Sequence, residues 1–157
     1  MNIFLTSPEP VACARALDDR RLVKMCLETA QLLSQAVVLN GGEHASLYNV
    51  THQHHPCAKW CRSSLGNFLW LCDHGIALCD EYMFRYGRRH ASRTVIKAAS
   101  ECRTVIPPGP LEFTFDCSGK VGGSVYKNYQ LCLCDKWAND GSKARWTKRE
   151  PPFFRCS

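Results

Sequence analysis

The residues best suited to chemistry share one face of a predicted helix. Arg21, Lys24, Glu28 and Gln31 recur at spacings of three and four residues. At about 100° per residue they fall within an arc of about 80°. The opposite face is an apolar stripe that we predict to be buried, formed by Leu22, Cys26, Ala30 and Leu33. A carboxylate held among cations on a rigid helix can bind an anion and can also move a proton or stabilise a positive charge. The alternative is a solvated helix face on which Lys24 and Glu28 form an ordinary i,i+4 salt bridge.

A second candidate is the cluster of histidines and cysteines in HQHHPCAKWC, residues 52–61. Imidazole and thiolate ligands at short spacing are typical of zinc sites. However, the sequence contains no second pair of ligands at a standard spacing to complete such a site. We therefore interpret His55 as a polar site residue at the start of a helix, where backbone amides favour phosphate. The spacing of these residues therefore does not predict a metal site.

The basic residues fall into three groups, and the net charge is +6. The groups are Arg20, Arg21 and Lys24; Arg85, Arg88, Arg89, Arg93 and Lys97; and Lys143, Arg145, Lys148 and Arg149. Trp146, Phe153 and Phe154 are interleaved with or follow the last group. This mixture favours phosphate contacts combined with base stacking, and so a nucleic-acid partner. Each group alone is also what a solvated surface would show.

The α-amine of the chain is a further candidate nucleophile. Its reference pKa is about 7.7–8.0, well below that of a lysine, so a useful fraction is unprotonated at neutral pH. Such an amine can attack a sugar carbon and form an imine. The sequence shows no P-loop, no G-x-S-x-G elbow and no HExxH motif that would indicate another chemistry.

Composition is that of a globular protein, with 157 residues of which 45% are hydrophobic. We read neither a signal peptide nor a membrane-spanning run, so we expect no membrane association. Eleven cysteines, an odd number at largely helical core spacings, favour a reducing compartment over a disulfide scaffold. We therefore expect one domain over residues 1–157, a cytoplasmic location and a monomer.

The hydrophobic periodicity predicts a mainly α fold, a compact single-domain bundle of three to four helices with long loops. Helices are predicted over residues 11–39, with a bend near Asp18 and Asp19, and over residues 57–86, 91–103 and 126–140. Residues 1–6 are expected to form a short strand or an extended arm. Residues 111–123 read as irregular with a short hairpin, and residues 141–157 as a basic, aromatic tail.

Several of these segments resemble the pyrimidine-dimer DNA glycosylase (endonuclease V) family, in its phage-type members. The strongest is DRRLVKMCLETAQL at residues 19–32. The others are THQHHPCAKW at 51–60, NFLWL at 67–71, LCDEY at 78–82, RYGRRHAS at 85–92 and ARWTKREPP at 144–152. The resemblance implies an all-α fold with no metal or cofactor. It also implies an enzyme of a bacteriophage that acts in the host on kinked double-stranded DNA with a displaced base.

Residue by residue, Glu28 falls at the family's catalytic glutamate, which would stabilise the imine or sugar cation and assist proton transfer. Arg21 falls at a family histidine, while Leu27 and Gln31 fall where the best-known branch has arginines. The family nucleophile is the amine of a small residue exposed after methionine removal. Here Asn2 follows Met1, and we expect Met1 to be retained. Its amine is then the candidate nucleophile, with water activated by Glu28 as the alternative.

The resulting hypothesis is a DNA glycosylase, with or without AP-lyase activity, that releases a damaged or modified pyrimidine. The catalytic candidates are Glu28, Met1 and Asn2. The candidates for DNA contact are Arg21, Lys24, Gln31, His55, Asn67, Arg85, Arg89, Trp146 and Lys148. Two competing interpretations stay open: a non-catalytic nucleic-acid-binding module with a Cys/His zinc site, and a base-modifying enzyme on the same scaffold.

Overall fold

The computed structural model describes residues 1–140 and 143–155, and within them the fold is helical without strands. Six α-helices follow one another along the chain. They are α1 (Pro10–Ala16), α2 (Asp19–Leu39), α3 (Pro56–Ser63), α4 (Leu65–Tyr86), α5 (Ser92–Glu101) and α6 (Val125–Asn139), with a short 3-10 turn at Arg103–Val105. The mainly α class is confirmed, but the described residues form six helices where three to four were predicted.

Two of the predicted helices are each broken once. Leu17 and Asp18 adopt extended backbone angles. Where a bend was expected within one helix, α1 therefore ends and a separate helix, α2, begins. Ser64 is also extended and caps α4, since its hydroxyl accepts a hydrogen bond from the Asn67 amide. The low helix propensity of Asp18, Ser64 and Gly66 is compatible with these breaks but does not locate them, because tertiary context routinely overrides propensity.

The break before α4 follows from a close approach of the connector at residues 107–111. The Leu65 amide donates to the Pro107 carbonyl at 2.8 Å, and the Gly66 amide donates to the Gly109 carbonyl at 3.0 Å. A Cβ at Gly66 would lie 2.3 Å from the Leu111 nitrogen, so only glycine fits here. The connector thus satisfies amides that the first turn of a helix leaves without partners. The remainder of residues 111–123 is irregular, as predicted, but contains no hairpin.

Helix α2 lies at the centre and packs against α3, α4 and α5, while α1 packs against α4. Its predicted apolar stripe of Leu22, Cys26, Ala30 and Leu33 is fully buried. By length and composition α2 is also long and apolar enough to cross a membrane, but 67% of its most apolar window is buried inside the protein. That is the pattern of a core helix, and its polar face is then free to carry a site.

Candidate active site

Glu28 lies on α2 beneath the first residues of the chain. It is only 8% exposed, and its Oε2 accepts a hydrogen bond from the Asn2 amide at 3.0 Å. The Met1 amine nitrogen lies 3.9 Å from the same oxygen. The other carboxylate oxygen, Oε1, is 3.4 Å from Lys24 Nζ, whose side chain is 67% exposed. One carboxylate therefore contacts two main-chain nitrogens on one side and a solvated ammonium on the other.

The N-terminal arm is fixed by apolar burial. Ile3 and Leu5 are fully buried, and Phe4 packs edge-on against Tyr129 with ring centroids 6.3 Å apart. The Asn2 side chain also accepts a hydrogen bond from the Ile3 amide at 2.8 Å. Phe4 has a φ of 57°, a left-handed conformation that costs a phenylalanine about 1–3 kcal/mol and persists only where the surroundings impose it. The arm is an extended, anchored segment that holds the first nitrogens against Glu28.

A cavity of about 290 Å³ opens at this carboxylate. Its wall is formed by the arm, α2 and α6. The lining residues are Met1, Asn2, Phe4, Arg20, Arg21, Lys24, Met25, Glu28, Lys136 and Asp140. Four basic side chains thus face two carboxylates, which leaves the cavity with an excess of positive charge. A phosphate beside the cavity would be attracted, and Glu28 could neutralise a positive charge that develops within it.

Arg21 stands in the cavity wall but is already paired. Its guanidinium donates to Asp18 at 2.9 Å and to Asp140 at 2.8 Å. Burial alone would lower the pKa of Arg21, but the hydrogen bonds and charges of these two carboxylates outweigh it and raise the pKa. Arg21 therefore ties α2 to the end of α6 as well as lining the cavity.

His55 lies close enough to this site to respond to its charges. Its Nδ1 accepts a hydrogen bond from the Cys57 amide at 3.2 Å, which caps α3. Burial lowers the pKa of His55, and the positive N-terminal amine and His52 lower it further, while Glu28 opposes the shift. The neutral imidazole is therefore favoured at neutral pH. Gln31, one turn after Glu28 on α2, is half-buried and does not line the cavity.

Three of the predicted DNA-contact residues are buried with structural partners, so the structure does not bring them to the site. The side-chain amide of Asn67 donates a hydrogen bond to the Trp60 carbonyl through Nδ2 and accepts one from the Glu112 backbone amide at Oδ1. Arg85 is 2% exposed and donates to Glu81, Asp19 and the Leu17 and Arg15 carbonyls. Trp146 is 7% exposed, and its indole nitrogen donates to the Ala16 carbonyl at 3.0 Å. These side chains hold the fold together.

The other two predicted contacts are exposed but lie apart from the Glu28 cavity. Arg89 borders a small cavity beside Asp80 and Arg93. Lys148 donates to the Phe84 carbonyl at 3.3 Å and borders a larger, mainly apolar cavity of about 740 Å³. That cavity lies between α1 and the tail, and neither Glu28 nor the first two residues line it. The carboxylate, the amine and several cations converge at the smaller cavity, which makes it the candidate active site.

Sequence reasoning missed Lys136, Arg20 and Phe4 as parts of this site. Lys136 and Arg20 are exposed at the cavity and make no ion pair within residues 1–140 and 143–155. Arg20 was visible as a neighbour of Arg21 in the sequence. Lys136 lies more than a hundred residues after Glu28, and only the packing of α6 beside the arm brings it there.

The arrangement supports two kinds of chemistry. A carboxylate beside an α-amine can accept a proton from that amine and so expose its lone pair for attack on an electrophilic carbon. The same carboxylate can stabilise a sugar cation or activate a water molecule. The basic side chains around the cavity would hold an anionic substrate in place for either route.

A sequence profile described as "Pyrimidine dimer DNA glycosylase" matches residues 1–94. The chain belongs to this family. The match includes Glu28 and the whole N-terminal arm, and it ends before α6 and the tail. No curated protein and no solved structure shows a significant match to the chain. Membership of the family supports DNA glycosylase activity, and hence an enzyme that has DNA as its partner.

Proposed function

We propose that this member of the family releases a damaged or modified pyrimidine from double-stranded DNA, with Glu28 at the reacting sugar. The observation that carries the proposal is the contact of Glu28 Oε2 with the nitrogens of residues 1 and 2, at 3.9 and 3.0 Å, inside a cavity rich in basic side chains. An exposed ion pair would not need an anchored arm or a cavity. The site therefore favours chemistry over a solvated Lys24–Glu28 salt bridge.

The proposed reaction begins with attack of a neutral α-amine on C1′ of the target nucleotide. The new bond joins the nitrogen to C1′, while the glycosidic bond breaks and the base leaves with the electron pair and then takes up a proton. Glu28 accepts the proton that the amine loses and delivers it to O4′ as the C1′–O4′ bond breaks and the sugar ring opens. The product is a protonated imine at C1′, whose positive charge the regenerated carboxylate stabilises. Loss of a proton from C2′ and departure of the 3′ phosphate would then complete AP-lyase cleavage.

Two nitrogens are candidates for the attacking amine, and the start of the mature chain decides between them. If the chain begins at Met1, the amine is the atom 3.9 Å from Glu28 Oε2. If it begins at Asn2, the amine is the atom at 3.0 Å, which is the better placed of the two. The competing route uses no amine: Glu28 activates water, and the enzyme releases the base without a covalent intermediate.

DNA contact is proposed for the basic cavity wall and its neighbours. Lys24, Arg20 and Lys136 are exposed and can meet phosphates on either side of a displaced nucleotide. Arg21, Gln31 and His55 remain candidates for contact with the sugar or phosphate. Leu27 is 42% exposed where the best-known branch of the family has an arginine, so this helix face carries less charge. That difference favours a modified pyrimidine over a photoproduct as substrate.

A panel of duplex oligonucleotides, each with one modified or damaged pyrimidine, tests the function. We expect the protein to produce abasic sites in at least one of them, and mass spectrometry to detect the released free base. Glu28→Gln protein prepared in parallel controls for contaminating glycosylases. Altered bases that stay attached to the DNA would instead indicate a base-modifying enzyme. DNA binding without any change across the whole panel would indicate a non-catalytic binding module.

Borohydride trapping separates the two mechanisms on whichever oligonucleotide is a substrate. Reduction of an imine would join protein and DNA covalently, and peptide mapping of the adduct should place the link at the N-terminal residue. Intact mass measured beforehand establishes whether that residue is Met1 or Asn2. Base release with no trapped adduct would exclude the amine and assign the attack to water activated by Glu28.

We also propose that the protein acts as a monomer in the reducing interior of the cell. Nine cysteines of the described ranges are free thiols, namely Cys13, Cys26, Cys57, Cys61, Cys72, Cys79, Cys102, Cys117 and Cys132. DNA is the substrate that the family membership indicates. Light scattering of the purified protein, with and without a DNA duplex, would test the monomer.

A further inference from the structure

Three side chains from two distant segments meet beside the N-terminal arm. They are His55 and Cys57 at the start of α3 and Cys117 in the irregular segment before α6. One potential ligand atom from each lies within 4.8 Å of the other two, and the Cys57 and Cys117 sulfurs are 3.9 Å apart. Neither cysteine is needed for the proposed reaction. The cluster is therefore a feature of the molecule that base release does not explain.

The spacing of the two sulfurs fits one ion bound between them. In a tetrahedral zinc site with Zn–S bonds of about 2.3 Å, two thiolate sulfurs lie about 3.8 Å apart. A disulfide would require them at about 2.05 Å. We propose that His55, Cys57 and Cys117 bind a zinc ion. His55 is also a candidate for DNA contact, but the zinc proposal does not depend on the glycosylase assignment, because metal binding is measured in the absence of DNA.

The chemistry of the three groups suits zinc. The Cys57 thiol donates a hydrogen bond to the Cys117 sulfur, so the two sulfurs already face each other. Zinc binds cysteines as thiolates, so metal binding would release the thiol protons of both residues. His55 Nδ1 already presents a lone pair, because it accepts a hydrogen bond from the Cys57 amide. A zinc ion bound through Nδ1 would replace that amide proton.

Among the described residues, no fourth Cys, His, Asp or Glu joins the cluster. The fourth position of a tetrahedral ion is thus left to water or to another donor, as in zinc sites that keep an open position. The positive N-terminal amine acts electrostatically on all three ligand residues, so the ion would lie near the Glu28 site. Zinc would also join the segment around Cys117 to the start of α3.

Metal binding to the intact protein tests the site. Chelator-treated, reduced protein is dialysed against Zn²⁺ or Co²⁺, and bound metal is measured together with the thiolate charge-transfer and d–d absorption of cobalt. We expect one ion per chain with tetrahedral cobalt bands in the wild-type protein. Cys117→Ser should lose the ion and the bands. Cys102→Ser, which alters another half-buried cysteine outside the cluster, should keep both.

Alkylation gives a second readout that does not depend on how well a variant folds. In the wild-type protein, Zn²⁺ should slow the reaction of Cys117 with iodoacetamide and leave that of Cys102 unchanged. Metal binding that Cys117→Ser does not alter would overturn the proposal. So would the absence of bound metal, or a Cys57–Cys117 disulfide that forms in the presence of saturating zinc.

Discussion

Two buried glutamates in this molecule have the same local pattern and different surroundings. Glu28 on α2 and Glu81 on α4 each have a cationic residue four positions away, Lys24 and Arg85 respectively. Glu28 faces a cavity, an exposed lysine and the first nitrogens of the chain. Glu81 is 4% exposed and accepts hydrogen bonds from the guanidinium groups of Arg85 and Arg149.

The region around Glu81 is saturated with hydrogen bonds. Arg85 donates to Asp19 as well as Glu81, and Asp19 also accepts from the backbone amide and the hydroxyl of Thr147. This network joins α2, α4 and the tail. The comparison teaches that i,i+4 spacing does not distinguish a structural carboxylate from one that is a candidate for catalysis. The groups that arrive from distant parts of the chain decide it: two guanidinium groups at Glu81, and an α-amine with open space at Glu28.

The largest effect on stability is expected from Arg85→Met. Removal of the buried guanidinium leaves Glu81 and Asp19 with charges that lack a buried partner, and we expect the free energy of unfolding to fall by about 3–5 kcal/mol. The matched change at the other glutamate, Lys24→Met, removes a solvated ammonium and should cost less than about 1 kcal/mol. Urea denaturation of both variants measures the difference. Equal losses would contradict the contrast between the two regions.

Acid should weaken the Glu81 region through the same network. Burial alone would raise the pKa of Glu81, but the hydrogen bonds from Arg149 and Arg85 outweigh burial and lower this pKa. The pKa of Asp19 is also lowered, because its hydrogen bonds with Thr147 and Arg85 outweigh the effect of burial. A carboxylate whose pKa is lowered by folding stabilises the fold fully above its unfolded pKa, about 3.9–4.3 here. That stabilisation is lost as the pH falls through the folded pKa.

Denaturant midpoints measured from neutral pH down to strongly acidic pH test this prediction. Stability should already decline below about pH 6.5, because burial lowers the pKa of His55, His74 and His90. The contribution of Glu81 should appear as a further loss below the unfolded pKa of the carboxylates. Glu81→Gln should be less stable at neutral pH and should show a shallower acid dependence than the wild-type protein. If the two proteins lost stability in parallel, Glu81 would not be the source of the acid sensitivity.

The smallest effect is expected on DNA affinity at the Glu28 region. Lys136→Ala removes one exposed cation from the cavity wall, so binding should weaken for every DNA sequence. The slope of log affinity against log salt concentration should decrease in magnitude by about one, which is the contribution of a single phosphate contact. Lys97→Ala on the exposed face of α5 is the matched control and should change neither quantity. An unchanged salt slope for Lys136→Ala would place the DNA elsewhere.

Much of the fold could be predicted because hydrophobic periodicity reports the buried face of a helix. The stripe of Leu22, Cys26, Ala30 and Leu33 set the phase of α2 correctly, and with it the direction of Glu28. The bend predicted near Asp18 and Asp19 is a complete break, which the sequence did not distinguish from a bend. The break at Ser64 could not be predicted, since it depends on the docking of the 107–111 connector. The two breaks increased the helix count without changing the class.

The candidate site was predictable only in part. Polar residues were assigned to DNA contact because charged and amide side chains are usually exposed. Arg85 and Asn67 are exceptions, buried by hydrogen-bond partners that lie far away in sequence. The contact between Cys57 and Cys117 was missed for the opposite reason. The two residues are 60 positions apart in the sequence, so no short motif contains both. The spacing of residues in the sequence predicts which side chains are neighbours on one helix. It does not predict which side chains from distant segments come together when the chain folds.

The most direct test of the account is the single-turnover rate of base release by Glu28→Gln, with protein in excess over a substrate identified from the oligonucleotide panel. The change keeps the shape of the side chain and removes its ability to accept a proton or neutralise a cation. We predict a rate reduced by about 10²–10⁴-fold with the DNA dissociation constant unchanged. Base release at the wild-type rate by a folded, DNA-bound Glu28→Gln protein would contradict the assignment of the Glu28 cavity as the active site.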